Sequence, residues 1–162
     1  MLLVEKKSLK VGKFVSTDHV NTVIKNYKQE RWVNNSKHIG KEDSLSAWLS
    51  IEEMEEFIAK AKDYAADGIR IYFAAYPTEY PEQPLFAGRQ SLVFVGTKRK
   101  EDEAGKPAAD KDIYITNENG SNILAYNSMS ICPPWCKPKG LDDGNELGIT
   151  IVDKGDEGFA VV

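Results

Sequence analysis

The chain has 162 residues, of which 41% are hydrophobic and 28% charged, and it carries a net charge of -4. This length suits one substantial hydrophobic core and is too short for two ordinary domains, so we expect a single domain over residues 1–162. The composition excludes wholesale disorder, and the small, mixed charge argues against nucleic acid as a partner.

The amino-terminal segment, Met1 to Lys10, contains a short apolar run, Leu2 to Val4, after the start methionine. A secretory signal or a membrane span needs a much longer apolar run. We therefore expect a soluble, cytoplasmic protein that has no membrane partner.

The first helix is predicted to begin at residues 16–18, a Ser-Thr-Asp run whose side chains can accept hydrogen bonds from the free amides of a helix start. Apolar residues then recur at the spacing of one helical face: Val20, Val23, Ile24 and Tyr27. We predict that this helix ends near Arg31 or Trp32 and that residues 34–36, Asn-Asn-Ser, belong to a polar connection.

The second helix has the clearest start, because Ser50 and Glu53 have the spacing of a capping box. Its inward face is predicted from the apolar residues Ile51, Met54, Phe57, Ile58, Ala61 and Ala65. Asp67-Gly68 is predicted to end this helix, since glycine accepts the left-handed conformation of a helix end.

Residues 69–76 read Ile-Arg-Ile-Tyr-Phe-Ala-Ala-Tyr and are apolar on both alternating faces apart from Arg70. That pattern is typical of an interior strand, so we predict the central strand of a sheet, roofed by the helix that starts at Ser50. Prolines interrupt residues 77–89, which we predict to be a surface loop.

Residues 91–97 resume strand character and should pair antiparallel with the preceding strand. The charged stretch 98–112 has no apolar side chain larger than alanine apart from Pro107, so we predict a mobile loop there.

Four short apolar segments follow, at residues 113–116, 123–126, 147–152 and 159–162. The first two flank an Asn-Gly pair, which predicts a β-hairpin. Because helices gather early in the chain and strands late, we predict an α+β domain with two or three helices on one face of a mostly antiparallel sheet.

Cys132 and Cys136 enclose Pro-Pro-Trp, a spacing that differs from the two intervening residues of redox dithiols. Our leading interpretation is a structural loop, with a local disulfide, a metal site and thiol redox chemistry as the alternatives. His19 and His38 are the only histidines, and neither has ligand spacing to the cysteines.

Arg70 lies in an apolar strand, where a guanidinium needs partners that offset its desolvation. An internal salt bridge or hydrogen bond is our first interpretation. The alternative is a pocket for a small anionic ligand, because Arg70, Tyr72 and Tyr76 share one face of a strand.

Tyr80 and Trp135 are the aromatic residues that we assign to a surface for a protein partner, together with the loop from Tyr76 to Phe86. Trp48 directly precedes the capped helix, and we expect it to be buried beneath that helix.

Three segments together resemble an uncharacterised group of small bacterial proteins over roughly residues 45–136: Ser46-Ala47-Trp48, Asp67 to Phe73, and Cys132 to Cys136. The resemblance implies that these segments are shared architecture. It carries no established activity and adds no catalytic residue.

The sequence contains no phosphate loop, nucleophile elbow or His-Glu-x-x-His run, and we assign no catalytic residue and no cofactor. We therefore expect a non-catalytic binding or protein-interaction domain. The alternatives are a thiol-based redox or metal-binding protein that uses Cys132 and Cys136, and a pocket for a small anion around Arg70.

Overall fold

The computed structural model describes residues 10–100, 109–136, 151–153 and 159–161. Its first helix, α1 (Thr17–Tyr27), starts at Ser16, whose Oγ accepts a hydrogen bond from the His19 amide at 3.2 Å. The helix continues through a π-helical segment (Lys28–Trp32) into α2 (Val33–Ile39) and ends where Gly40 adopts a left-handed φ of 74°.

The predicted end of this helix near Arg31 or Trp32 is therefore wrong. The Trp32 Nε1 donates to the Asp43 carbonyl at 2.7 Å, and the Ser36 Oγ accepts from the Asp43 amide at 2.9 Å. These contacts attach the π-helical segment and α2 to the residues that follow the helix. Asn and Ser have modest helix propensity, which tertiary contacts of this kind override.

The second predicted helix is α3 (Ile51–Asp63), and its capping box is confirmed. The Glu53 amide donates to Ser50 Oγ and the Ser50 amide donates to Glu53 Oε2, each at 3.0 Å. Phe57 and Ala61 are buried as predicted, whereas Ile51 is 76% exposed and lies outside the core.

The predicted end of α3 at Asp67-Gly68 is wrong, because the helix ends at Asp63 and Gly68 opens the next strand. Ala65 takes the left-handed conformation instead, with a φ of 61°. Its amide donates to the Lys62 carbonyl at 2.9 Å, so the helix end is completed without glycine.

The main sheet is antiparallel and is built around β3 (Gln90–Lys100). This strand pairs with β2 (Gly68–Ala75) along one edge, and with β4 (Ala109–Asp112) and β7 (Ala125–Tyr126). The predicted antiparallel pairing of residues 91–97 with the preceding strand is confirmed. Because β3 and β4 extend over residues 98–100 and 109–112, the loop predicted for 98–112 is wrong at both ends, and residues 101–108 lie outside the described part.

Residues 69–76 form a strand as predicted, but the prediction that this strand is central is wrong. Within the described residues β2 has β3 as its one partner, so β2 lies at the edge of the sheet. Phe73 on this strand is 83% exposed, and Tyr76 lies beyond the strand end, where it is buried. An apolar pattern indicates a strand, but it does not indicate what packs against it.

A short strand before α3, β1 (Ser46–Trp48), pairs antiparallel with β8 (Ser130–Cys132). The prediction that Trp48 is buried beneath α3 is wrong, since this side chain is 66% exposed. Successive residues of a strand point to opposite sides, and here the neighbouring Ala47 packs against the core.

A hairpin forms at the predicted place, with β5 (Tyr114–Asn117) antiparallel to β6 (Gly120–Ile123). Its second strand was predicted over residues 123–126, which is wrong, because residues 125–126 form β7 and pair with β3. At the end of the chain, β9 (Ile151–Asp153) pairs antiparallel with β10 (Phe159–Val161), which confirms the last two predicted strands over those residues. Residues 147–150 and 162 of these predicted strands lie outside the described part.

The helices lie on one face of the main sheet, which confirms the predicted α+β fold. The rings of Phe57 on α3 and Phe94 on β3 are 6.2 Å apart, centroid to centroid. On the same face, Tyr27 of α1 donates through its hydroxyl to the Gln90 side chain. A Cβ at Gly96 of β3 would lie 2.9 Å from Leu124 Cδ2, so only glycine fits this close approach without displacing Leu124.

Across the described ranges of the chain, none of the helices combines the length and the apolar character that a membrane crossing requires.

Candidate functional site

Tyr80 and Trp135, the two residues that the sequence assigns to an interaction surface, line one open hollow of about 340 Å³. The hollow is also lined by Glu82, Gln83, Phe86, Ser128 and Ser130. We call this set of seven residues the aromatic hollow. It joins the proline-rich loop after β2 to the segment around β8.

The Tyr80 side of the hollow is built by a compact loop, as predicted for residues 77–89. A 3-10 turn (Pro84–Phe86) places Phe86 in the interior. Tyr76 stacks on Tyr80 with ring centroids 5.0 Å apart and contacts Phe86 at 5.3 Å. Three aromatic rings in contact therefore hold Tyr80 in place.

Arg89 ties this loop to the rest of the fold. Its guanidinium is buried, with Nε donating to the Glu42 carbonyl at 2.8 Å and Nη1 donating to the Leu85 carbonyl at 2.5 Å. Burial lowers the pKa of Arg89, while the negative charges of Asp43 and Glu42 act in the opposite direction. Sequence reasoning missed this residue, because Arg89 follows a loop and no apolar strand pattern marks it as buried.

The Trp135 side of the hollow is a tight loop closed by a disulfide between Cys132 and Cys136. The Trp135 amide donates to the Ile131 carbonyl at 2.9 Å, and the peptide bonds before Pro133 and Pro134 are cis. Trp135 itself is 38% exposed.

Both sides of the hollow rest on one buried cluster. Ile131, which is fully buried at the base of the Trp135 loop, packs in the same cluster as Tyr76 and Phe86. The Tyr80 side and the Trp135 side of the hollow therefore pack on the same buried residues, so the core sets the distance between them.

The hollow contains one described charged residue, Glu82. The Tyr80 hydroxyl donates to Glu82 Oε2 at 3.3 Å. The pKa of Tyr80 is raised, first by partial burial and then by the negative charge of Glu82. Among the described lining residues none is lysine, arginine or histidine.

The two cysteines adopt the local disulfide, one of the alternatives that the sequence leaves open. Sulfurs joined to each other are not thiolates and cannot ligate a metal ion. Among the described residues, no group of three or more His, Cys, Asp or Glu side chains is gathered to hold a metal.

The structure brings Arg70 and Tyr72 together but places Tyr76 apart from them. Arg70 Nη1 and Asp112 Oδ1 are 2.5 Å apart, and the Tyr72 hydroxyl donates to Asp112 Oδ2 at the same distance. The Tyr76 hydroxyl accepts from Ser91 Oγ at 3.2 Å within the buried cluster. Arg70 thus makes the internal ion pair of our first interpretation, and the carboxylate of Asp112 takes the place that a bound anion would need.

A larger groove of about 680 Å³ lies between the first helix and the carboxyl-terminal end of β2. It is lined by residues that the sequence did not single out as a group, among them Tyr27, Arg31, His38 and Phe73. Sequence reasoning did not find this groove, because the first helix was predicted to end before His38. The lining combines cationic, anionic and apolar groups without a convergent set.

No protein-family model, no curated protein and no solved structure matches this chain.

Proposed function

We propose that this chain is a non-catalytic binding domain that holds a partner protein at the aromatic hollow. The observation that carries the proposal is that Tyr80 and Trp135, distant in sequence, line the same hollow on rigid supports. Tyrosine and tryptophan give large contact areas at low entropic cost, and such residues are enriched at protein interfaces.

Rigid support matters because ordering side chains on binding costs about 0.5–1.5 kcal/mol for each flexible group. Tyr80 is already stacked on Tyr76, and Trp135 is held in a five-residue loop by the Cys132–Cys136 disulfide. A partner would therefore meet a preformed surface.

The test is a quantitative capture experiment with the whole chain as bait. Tyr80→Ala and Trp135→Ala should each lose a protein that the wild type captures. Two matched controls should retain it: Tyr114→Ala and Trp48→Ala remove exposed aromatic side chains that do not line the hollow. Equal capture by all five baits, with folding confirmed by circular dichroism, would count decisively against the proposal.

The cytoplasmic location that the sequence predicts stands as a proposal, and it competes with the disulfide that holds Trp135 in the preformed surface. Thiols are kept reduced in the cytosol, whereas the Cys132–Cys136 disulfide persists in an oxidising compartment. Trapping the thiols in intact cells tests this directly: free thiols support the cytoplasmic location, and a disulfide in every molecule contradicts it.

A further inference from the structure

The aromatic hollow is lined by two aromatic residues, Tyr80 and Trp135, and by the acidic residue Glu82. We propose that it recognises an arginine side chain presented by the partner. This inference rests on the proposed function and specifies the chemistry of what enters the hollow.

The first argument is the surface that the rings present. Tyr76 covers one face of the Tyr80 ring, and Tyr80 still lines the hollow. Trp135 lines it from the other loop and is more than one-third exposed. A guanidinium is planar and weakly hydrated, and it stacks on aromatic faces at a cost lower than an ammonium ion pays.

The second argument is charge complementarity. Glu82 is the one charged group among the described lining residues, and its Oε2 is the atom that accepts from Tyr80. Its Oε1 remains for a further donor. The Ser128 and Ser130 hydroxyls and the Gln83 amide oxygen can accept the other N–H groups of a guanidinium.

The third argument is size. A hollow of about 340 Å³ lies at the small end of ligand pockets, which suits one long side chain better than a folded element or a cofactor. The occupant is therefore a single arginine, while the rest of the partner lies on the surrounding surface.

The probe is the peptide acetyl-Gly-Arg-Gly-amide, titrated into the full-length protein while the Trp135 indole N–H signal is followed by NMR. We expect saturable binding at least about fivefold tighter than that of the matched citrulline peptide, which is neutral and nearly the same shape. The lysine peptide should bind more weakly, and added salt should weaken the arginine peptide.

Glu82→Gln should weaken the arginine peptide by about fivefold, since the ion pair is lost with little change in shape. Glu79→Gln, in the same loop but outside the lining, is the control and should bind as the wild type does. Lys137 follows Cys136 outside the described residues, so each titration is repeated with Lys137→Gln to exclude its charge from the comparison.

Citrulline binding as tight as arginine overturns the proposal, and so does unchanged affinity in Glu82→Gln. A lysine peptide that binds as tightly as the arginine peptide also overturns the proposal, because the hollow would then recognise positive charge without preferring a guanidinium. These results leave the proposed function standing if Tyr80→Ala and Trp135→Ala still lose the captured protein. If the peptide experiment fails and both alanine variants capture the protein as well as the wild type does, the hollow is rejected as a binding site.

Discussion

The Tyr126 hydroxyl donates to Glu53 Oε1 at 2.5 Å, which joins β7 to the first turn of α3. The other carboxylate oxygen of Glu53 accepts from the Ser50 amide in the capping box. One side chain thus completes the start of α3 and attaches it to the sheet. The pKa of Glu53 is lowered, first by the hydrogen bond from Tyr126 and then by the bond from Ser50.

This relationship predicts how stability depends on pH. Because the folded-state pKa of Glu53 is depressed, its contribution is present above the unfolded pKa and is lost as the pH falls through the folded value. Tyr126→Phe should therefore destabilise the protein at pH 7 and make the decline in unfolding free energy on acidification shallower. Urea unfolding from pH 7 to pH 3 measures this, with Tyr114→Phe as the control.

The core prediction concerns two residues of α3. Phe57 is buried against Phe94 and Tyr126, so Phe57→Ala should lower the unfolding free energy by about 4 kcal/mol. Ile51→Ala, on the exposed side, should change it by less than about 0.5 kcal/mol. Denaturant unfolding at one pH compares them, and similar losses in both variants would contradict the packing described for α3.

The two arginines should respond differently to substitution. Arg89→Met leaves the Glu42 and Leu85 carbonyls without their donor, so it should cost about 2 kcal/mol and should weaken capture at the aromatic hollow. Arg70→Met breaks an ion pair that is 39% and 17% exposed at its two side chains, and its effect on stability should be smaller. Thermal unfolding ranks the two variants.

The same Arg70→Met variant tests the anion pocket that the sequence suggested. Asp112 already pairs with the Arg70 guanidinium in the wild type. Phosphate or a dicarboxylate should therefore stabilise the variant and the wild type to the same small extent. An anion-dependent rise in Tm that only the wild type shows would restore the pocket.

Reduction of the disulfide should loosen Trp135. Opening the short loop between Cys132 and Cys136 removes a constraint worth about 2 kcal/mol in the chain-entropy account, and it frees the indole that lines the hollow. Dithiothreitol should therefore lower both the unfolding free energy and the capture of the partner, and Cys132→Ser with Cys136→Ser should reproduce the effect. Capture that is insensitive to reductant would show that the loop holds Trp135 without the disulfide.

Local signals were sufficient where a few neighbouring residues determine the conformation. Ser50 and Glu53 cap α3 through bonds within four residues, and the short segment from Asn117 to Gly120 forms the turn of the β5–β6 hairpin. The proline-rich stretch after β2 is a loop because proline cannot donate to a sheet. The α+β class followed from the order of these elements along the chain.

Tertiary contacts determined the features of the fold that these local signals do not specify. The apolar pattern of residues 69–76 indicated a strand, but the position of that strand at the sheet edge depends on which other strands pair with β3. The first helix continues past Trp32 because the Trp32 side chain bonds to the Asp43 carbonyl. Arg89, rather than Arg70, is the buried arginine because the loop before Arg89 folds back over its side chain.

The candidate site shows the same division. By itself the sequence assigned Tyr80 and Trp135 to an interaction surface, because aromatic side chains give large contact areas and both residues lie in proline-containing segments. Only the tertiary structure placed them around one hollow, because the buried cluster of Tyr76, Phe86 and Ile131 joins segments that are far apart in the chain. Hydrophobic burial is non-directional and long-range in sequence, so local patterns predict which residues enter a core and leave their partners to the fold.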